Sequence, residues 1–232
     1  MQQVYQVGSQ FDSEVALNQK LTFDAAKMKF LQSSIAFDEK ALQLFHDQDY
    51  NNAALLLSDQ CQEVTKVAVF EGKEVDQFLD KRAYTGSIVT QIDATLNYLD
   101  SANHRRAIIT GEAQRSERQD YPETAIREAV VNAFIHRDYM LHSNVKVEVF
   151  DDRLEILSPG GIPQGLIISD IENGLVAARN PRLVHILDKM GYLENYGTGL
   201  KRIVKAYAQS DLRPEIKVTE NSFLVTLPNL NG

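Results

Sequence analysis

Three polar side chains recur at every fourth position of one largely apolar stretch of the chain. Glu128, Asn132 and His136 share one side of a helix, which the apolar spacing predicts over residues 123–136. A carboxylate can orient or deprotonate a water molecule, an amide oxygen can ligate Mg²⁺, and an imidazole can contact phosphate. The spacing favours a site for a metal-bound phosphate, although solvated residues on the outer face of an amphipathic helix would show the same pattern.

Two glycine-containing segments further along the chain add chemistry of a similar kind. The first, residues 158–163, reads Ser-Pro-Gly-Gly-Ile-Pro and predicts a tight turn at the end of a strand. The second, residues 196–202, reads Tyr-Gly-Thr-Gly-Leu-Lys-Arg and precedes a predicted helix. Glycine lets a backbone approach phosphate closely, and the N–H groups at a helix N-terminus point toward an anion. Both segments are also typical of ordinary turns and capped loops, so their spacing alone leaves the choice open.

The order of these motifs resembles that of the GHKL ATPases, the group of gyrase, Hsp90, histidine kinases and MutL. The spacing of Glu128 and Asn132 is similar to the N box of that fold, and residues 158–163 occupy the place of its G1 box. Residues 196–202 resemble the glycine-rich end of its lid.

One branch of the group is more closely similar, namely the RecG-related bacterial transcriptional regulators, which often carry a helicase-like label. The similarity lies in residues 125–139 (AIREAVVNAFIHRDY), 150–163, 180–182 and 196–200, which follow the order of that branch. The resemblance extends over about residues 51–210.

The resemblance implies an α+β fold, in which a two-layer GHKL (Bergerat-like) α/β sandwich follows a smaller mixed α/β region. It also implies ATP and Mg²⁺ as ligands, with Glu128 as the water-activating base of an ATPase that is slow at most, and Asn132 as the Mg²⁺ ligand. The residues that it implies for nucleotide binding are Asn132, His136, Ser158, Gly160, Gly161, Gly197, Thr198, Gly199 and Lys201.

Two positions depart from the GHKL pattern. With the segment aligned on the Gly-Ile-Pro of residues 161–163, Leu157 stands where the fold has its adenine-reading aspartate, and Pro159 replaces the first glycine. Leucine cannot accept the proton of the adenine amino group, so the Ser158 hydroxyl or a water molecule would have to substitute. A second hypothesis therefore stays open, in which a degenerate GHKL fold serves as a dimerisation or protein-interaction module without nucleotide.

Some functions that related sequences suggest find no support here. The chain has no Gly-x-x-x-x-Gly-Lys-[Ser/Thr] motif, so we do not expect a helicase motor. His136-Arg137-Asp138 is similar to a protein-kinase catalytic loop, but the other kinase motifs are missing. The net charge is −8 without a basic cluster, which argues against non-specific nucleic-acid binding. We therefore expect DNA contact through regions outside this chain.

Cysteine content and hydropathy bear on the location of the protein. The single cysteine, Cys61, cannot form an internal disulfide and fits a reducing cytosol, so we expect a cytoplasmic protein. The chain has no apolar run of 18 residues, so no membrane partner is expected. A homodimer is a further expectation.

Three stretches are predicted along the chain. Residues 1–20 are interpreted as the tail of an upstream Schlafen/Alba-like domain, residues 21–120 as a mixed α/β connecting domain, and residues 121–232 as the GHKL-like domain. Hydrophobic periodicity predicts helices over 23–35, 37–47, 51–57, 84–100, 123–136 and 181–190 and another after 198, and strands over 65–70, 107–110, 144–150, 154–157, 216–218 and 222–227.

Two local predictions concern the last helices. Asn180 is predicted to cap the helix that begins at Pro181, which leaves Arg179 and Arg182 exposed. In the helix after residue 198, Val204 is predicted to face inward with its apolar neighbours.

Overall fold

A computed structural model of the chain describes residues 10–108, 116–163, 165–172, 178–193 and 199–232. Within these ranges, each helix is too short or too polar to cross a lipid bilayer. The helices are α1 (Asp24–Gln32), α2 (Asn52–Leu57), α3 (Ile88–Ala102), α4 (Glu123–Ile135), α5 (Ile168–Glu172), α6 (Pro181–Lys189) and α7 (Gly199–Ala206), with a short 3-10 helix at Phe11–Ser13. The strands are β1 (Phe45–His46), β2 (Asp49–Tyr50), β3 (Thr65–Phe70), β4 (Phe78–Tyr84), β5 (Arg105–Ile108), β6 (Ser116–Gln119), β7 (Val145–Val149), β8 (Arg153–Pro159), β9 (Glu215–Val218) and β10 (Ser222–Pro228).

A six-stranded sheet in the order β4-β3-β7-β8-β10-β9 forms one layer of the fold. Strands β3 and β7 pair in parallel, and the other neighbours pair antiparallel. The register places four apolar side chains in one row across β3, β7, β8 and β10, and each is buried: Val67, Val147, Ile156 and Val225. This row is the contribution of the sheet to the hydrophobic core.

Helices cover the face of the sheet that carries this row. Helix α4 contacts β8 and β10, and α3 contacts β3, β4 and α4. Along β7, Val145 and Val147 are buried whereas Lys146 is exposed, which is the alternation of a strand with one covered face. The structure is thus a mixed α+β fold with a layer of helices on a sheet, and the predicted fold class is confirmed.

The sheet is continuous across the predicted boundary at residue 120. Strands β3 and β4 precede that boundary, yet β3 pairs with β7 from Thr65↔Val145 to Val69↔Val149. The side chains of the earlier stretch therefore share a core with those of the later stretch. The division of the chain at residues 20 and 120 stays a prediction.

Two predictions of local structure are wrong. Residues 37–47 do not form a helix, because Asp38 Oδ1 accepts hydrogen bonds from the backbone N–H groups of Lys40 and Ala41 in a local turn. Gln43 then takes a φ of 57°, which a right-handed helix excludes, and the chain enters the β1–β2 hairpin. The second wrong prediction is the inward position of Val204. Its side chain is 47% exposed, because at this turn of α7 the core side of the helix is occupied by the neighbouring Ile203.

Candidate functional site

Helix α4 brings the three regularly spaced polar residues to one cavity. Pro122 occupies the N-cap position of α4, and its carbonyl oxygen accepts hydrogen bonds from the backbone N–H groups of Ala125 and Ile126. The apolar face of the helix is buried, so the polar side chains emerge along its edge. Glu128, Asn132 and His136 all line the cavity.

The end of β8 contributes the opposite wall. Ser158 is buried, lines the cavity and donates a hydrogen bond from its Oγ to the carbonyl oxygen of Ala133 in α4 at 2.8 Å. Because alternate residues of a strand face opposite sides, Leu157 lies on the sheet face away from the helices. Leu157 pairs there with Leu224 of β10 and Lys146 of β7. The serine, and not the leucine, therefore faces the cavity at this end.

The two glycines after β8 are held where no other side chain fits. Gly160 has a φ of 101°, and a Cβ placed on it would lie 2.7 Å from the Cβ of Asp138. A Cβ on Gly161 would lie 2.3 Å from the carbonyl oxygen of Thr219, in the turn between β9 and β10. Both glycines line the cavity, so the Gly160–Gly161 loop presents backbone to the cavity.

Helix α7 begins directly in front of the acid and the amide of α4. A Cβ on Gly199 would lie 2.6 Å from Nδ2 of Asn132 and 3.2 Å from Oε2 of Glu128. One turn later, Nε of Arg202 lies 3.2 Å from Oε1 of Glu128. Lys201 lies on the exposed side of α7 and not on the cavity wall. The other two predicted residues of this segment, Gly197 and Thr198, lie outside the described residues.

The cavity has a volume of about 130 Å³ and mostly apolar walls. Typical small-molecule sites have volumes of roughly 300–1,000 Å³, so this cavity is smaller than most of them. Some of the apolar walls come from residues that the sequence did not single out as site residues: Leu166, Ile171, Val184, Phe223 and Val225. They share no motif, and their role follows only from the pairing of β8 with β10 and from the positions of α5 and α6.

His136 lies at the C-terminal end of α4, where its backbone N–H donates to the carbonyl oxygen of Asn132. Burial and then the positive charge of Arg179 lower the pKa of His136 to about 4. The imidazole is therefore neutral at pH 7. It can contact a phosphate as a hydrogen-bond partner but not as a cation.

The residues before α6 differ from their predicted role. Asn180 occupies the N-cap position but makes no capping bond; its Nδ2 donates to the carbonyl oxygens of Ile135 and Arg137 at the end of α4. Arg179 is only 25% exposed, and it donates to Asp138 Oδ2 and to the carbonyl oxygen of Gly161, both at 2.9 Å. The prediction of an N-capped helix with exposed arginines is wrong, because these polar groups hold the end of α4 against the Gly160–Gly161 loop.

Comparison with known families bears on the second half of this site. Residues 142–227 match the family described as "Putative ATP-dependent DNA helicase recG C-terminal". This segment is RecG-related. The match confirms the predicted relationship to the RecG-related, ATPase-like proteins. It includes the Gly160–Gly161 loop and α7 and begins after α4, so it does not test the assignment of Glu128 and Asn132.

A comparison with solved structures finds the fold of nearly the whole chain in another protein. The crystal structure of the DIP2311 protein from Corynebacterium diphtheriae aligns with a TM-score of 0.81 at 23% sequence identity. The alignment covers 97% of this chain and 48% of that one, so the chain spans about half the length of that protein. No curated protein matches the chain. At this identity the structural similarity shows the fold alone.

Proposed function

We propose that the cavity binds a nucleotide, with ATP and Mg²⁺ as its ligands. The observation that carries the proposal is the convergence on one cavity of Glu128 and Asn132 from α4, the Gly160–Gly161 loop and the N-terminus of α7. Each group suits a different part of a metal-bound phosphate. The ATPase-like family that matches the later part of the chain supports the same ligand class.

The phosphate end of the ligand would lie between α4 and α7. Among the described residues, no group of three or more His, Cys, Asp or Glu side chains forms a ready-made metal site. Mg²⁺ often binds through one or two protein oxygens and the phosphates of its ligand. The Asn132 side-chain oxygen would hold that ion, which would neutralise phosphate charge. The backbone N–H groups at the start of α7, beside Gly199, suit a phosphate.

The base of the nucleotide would lie between the apolar walls. Ile156 and Phe223 supply apolar surface there, and Ser158 is the polar residue that the end of β8 turns toward it. Because the Ser158 hydroxyl already donates its proton to Ala133, it has only acceptor lone pairs to offer. Such a group can accept the amino proton of adenine in place of the aspartate of other GHKL proteins.

Hydrolysis at this site would be slow at most. Glu128 is the candidate base, but one of its carboxylate oxygens faces Arg202. The carboxylate must leave this ion pair before it can orient a water molecule. A slow ATPase, or a binding module that only senses nucleotide, fits this arrangement better than a fast motor.

The wider role that we propose is that of a cytoplasmic transcriptional regulator related to RecG-like proteins, without a helicase motor. In this proposal, the nucleotide state of the cavity is communicated to DNA-contacting regions that lie outside this chain. A homodimer would present two such cavities. These proposals rest on the family relationship and on the absence of a basic cluster in the sequence.

One observation favours the second hypothesis, a module that mediates protein interaction without nucleotide. The start of α7 lies against Asn132, and Arg202 pairs with Glu128, so α7 already occupies the polar side of the site in this structure. If that arrangement persists at cellular nucleotide concentrations, the fold would serve for association only.

The test is thermal unfolding of the purified chain with and without Mg-ATP. At a ligand concentration of 100 times Kd, binding should add about 2.7 kcal/mol of stability. For a chain of this size that corresponds to a rise in Tm of about 5–10 °C. The rise should be lost in Asn132→Ala and retained in Asn97→Ala, which alters an exposed asparagine on α3. No rise with ATP, ADP or GTP would reject the proposal in favour of the interaction module.

A further inference from the structure

A buried carboxylate that is not part of the cavity wall caps α6, a helix that borders the cavity. Asp12 is fully buried, and its Oδ2 accepts hydrogen bonds from the backbone N–H groups of Arg182 at 2.7 Å and Leu183 at 3.1 Å. These are N–H groups of the first turn of α6, which have no partner within the helix. Asp12 therefore performs, from the N-terminal segment, the capping role that the side chain of Asn180 does not perform.

Arg182 strengthens the same connection. Its Nε donates to Ser13 Oγ at 3.1 Å, and its guanidinium also donates to the carbonyl oxygens of Gln43 at 2.8 Å and Phe45 at 3.3 Å. One arginine thus joins the start of α6 to two stretches of the early chain. Both the main chain and the side chain at this position are tied to the N-terminal segment.

The residues just before Arg182 contact the elements that form the cavity. We call residues 179–182 the Arg179–Arg182 turn. Asn180 is fully buried and bonds to the last carbonyl groups of α4, while Arg179 bonds to Asp138 and to the carbonyl oxygen of Gly161. Asp138 in turn donates its backbone N–H to the carbonyl oxygen of Pro159. The turn therefore lies between the N-terminal segment on one side and the Gly160–Gly161 loop on the other.

We propose that Asp12 is a positioning residue for the cavity and acts through the Arg179–Arg182 turn. When Asp12 caps α6, the turn holds Arg179 against the Gly160–Gly161 loop in the geometry that accepts a ligand. When Asp12 is withdrawn, the start of α6 loses two hydrogen bonds and the loop loses its support. This inference rests on the proposed nucleotide site for its ligand, but the link between Asp12 and the loop does not.

The link also operates in reverse. Because coupling between two sites is reciprocal, a ligand that stabilises the Gly160–Gly161 loop must stabilise the docked state of Asp12 by the same free energy. Whatever precedes or binds the segment around Asp12 would thus sense occupancy of the cavity. Regulation of the site from the N-terminal side is the consequence.

Asp59 offers a matched control. Its carboxylate also caps a helix from a distant position, since it accepts hydrogen bonds from the backbone N–H groups of Asp24 and Ala25 at the start of α1. Helix α1 contributes no residue to the cavity wall. Asp12→Asn and Asp59→Asn therefore weaken equivalent helix caps, only one of which is connected to the cavity.

The experiment has two measurements on the full chain. The first is amide hydrogen exchange without ligand at Asp138, Gly160 and Gly161, whose N–H groups bond to the carbonyl oxygens of Pro159, Asn221 and Glu220. Asp12→Asn should speed exchange at these amides, whereas Asp59→Asn should speed exchange in α1 only. The second is the Kd for Mg-ATP, which Asp12→Asn should raise at least about fivefold and Asp59→Asn should leave unchanged.

The outcomes separate this inference from the proposed function. Exchange that increases only at residues 10–13 and the start of α6, with the loop amides unchanged, would overturn it. If the unaltered chain binds no Mg-ATP, the proposed function fails, but faster exchange at the loop in Asp12→Asn would still establish the link. Should Asp12→Asn not fold, the reciprocal measurement on the unaltered chain carries the test: Mg-ATP should slow amide exchange at Arg182 and Leu183, whose N–H groups bond to Asp12, and unchanged exchange there in a chain that binds Mg-ATP would overturn the link.

Discussion

Arg202 and Glu128 join α7 to α4 across the cavity, with Nε and Oε1 3.2 Å apart. Both side chains are largely shielded, at 23% and 15% exposure. The contact connects the acidic motif of α4 with the glycine-containing segment at residues 196–202, and the two are far apart along the chain. It also means that the candidate base is engaged before any ligand arrives.

The first prediction concerns the role of Glu128 in hydrolysis. Glu128→Gln keeps the size of the side chain but removes its ability to accept a proton, so any ATP turnover should fall by about 10²–10⁴-fold. Nucleotide affinity should change little, because the amide has the same size and can still contact α7. Steady-state phosphate release and a binding titration measure the two effects. Glu123→Gln, which alters an exposed acid on the same helix, is the control, and unaltered turnover in Glu128→Gln would rule out Glu128 as the base.

The second prediction concerns the space around Gly160. Gly160→Ala should destabilise the fold because the new Cβ meets Asp138 and because the φ of 101° disfavours an L side chain. Gly86 has a φ of 82° with open space where its Cβ would lie, so Gly86→Ala reports the backbone strain alone. The free energy of unfolding in urea should be lower for Gly160→Ala by a further amount of about 1–3 kcal/mol. Equal losses for the two variants would show that Asp138 moves aside freely.

The third prediction is that stability rises with pH between about 4 and 6.5 because of His136. Its pKa of about 4 in the fold lies below its usual value of 6.5, so the unfolded chain binds more protons in this window. The contribution of His136 is present above pH 6.5 and is lost as the pH falls through the window. His136→Gln should remove this dependence, which amounts to at most about 3 kcal/mol of unfolding free energy across the whole window and to less where water reaches the ring.

Urea unfolding at several pH values across this window measures the slope. His142→Gln, at an exposed position, should leave the slope unchanged. Arg179→Gln removes the nearby positive charge and should raise the pKa of His136, which an NMR titration of the imidazole would show directly. A pKa of His136 near 6.5 in the unaltered chain would contradict the burial of this ring.

The fourth prediction is that Arg137 stabilises the fold and does not contact the ligand. Arg137 is 2% exposed, pairs with Glu63, donates to the carbonyl oxygen of Ser143 at 2.7 Å and stacks on Tyr139. Arg137→Met should lower the free energy of unfolding by about 2–4 kcal/mol, somewhat less than for a fully buried pair because Glu63 is 27% exposed.

A double variant tests the cause of that loss. Adding Glu63→Gln to Arg137→Met removes the charge left without its partner, so the double variant should be more stable than Arg137→Met alone. Mg-ATP affinity should be similar in both proteins. A large loss of affinity in Arg137→Met, at a temperature where it is folded, would instead place Arg137 in the site.

The part of the site on α4 could be predicted from the sequence because helical periodicity fixes the relative directions of side chains four apart. Glu128, Asn132 and His136 needed only the presence of the helix to share one face. The motif alone does not show whether Leu157 or Ser158 faces the cavity, because alignment to a pattern does not fix which residue of a strand faces the helices. The register of β8 against β10 and β7 decides it.

The rest of the site depends on contacts between distant parts of the chain. Arg179 and Asn180 look like exposed cap residues, and only the packing of α6 against the end of α4 reveals their bonds. Asp12 gave no signal at all, since a lone aspartate near a polar terminus is usually solvated. The helix predicted over residues 37–47 failed for a local reason, because an aspartate side chain that bonds to nearby N–H groups competes with helix formation.

The parallel pairing of β3 with β7 also governs how the protein is made. Val67 and Val147 are partners although roughly 80 residues separate them, so the ribosome must release the chain beyond β7 before the centre of the sheet can close. Until then β3 and β4 form a hairpin whose inner edge has no neighbour, and such edges recruit other chains. A shortened gene product that begins near residue 121 would expose the edge of β7 that β3 covers in the longer chain, and we expect this edge to carry the same hazard.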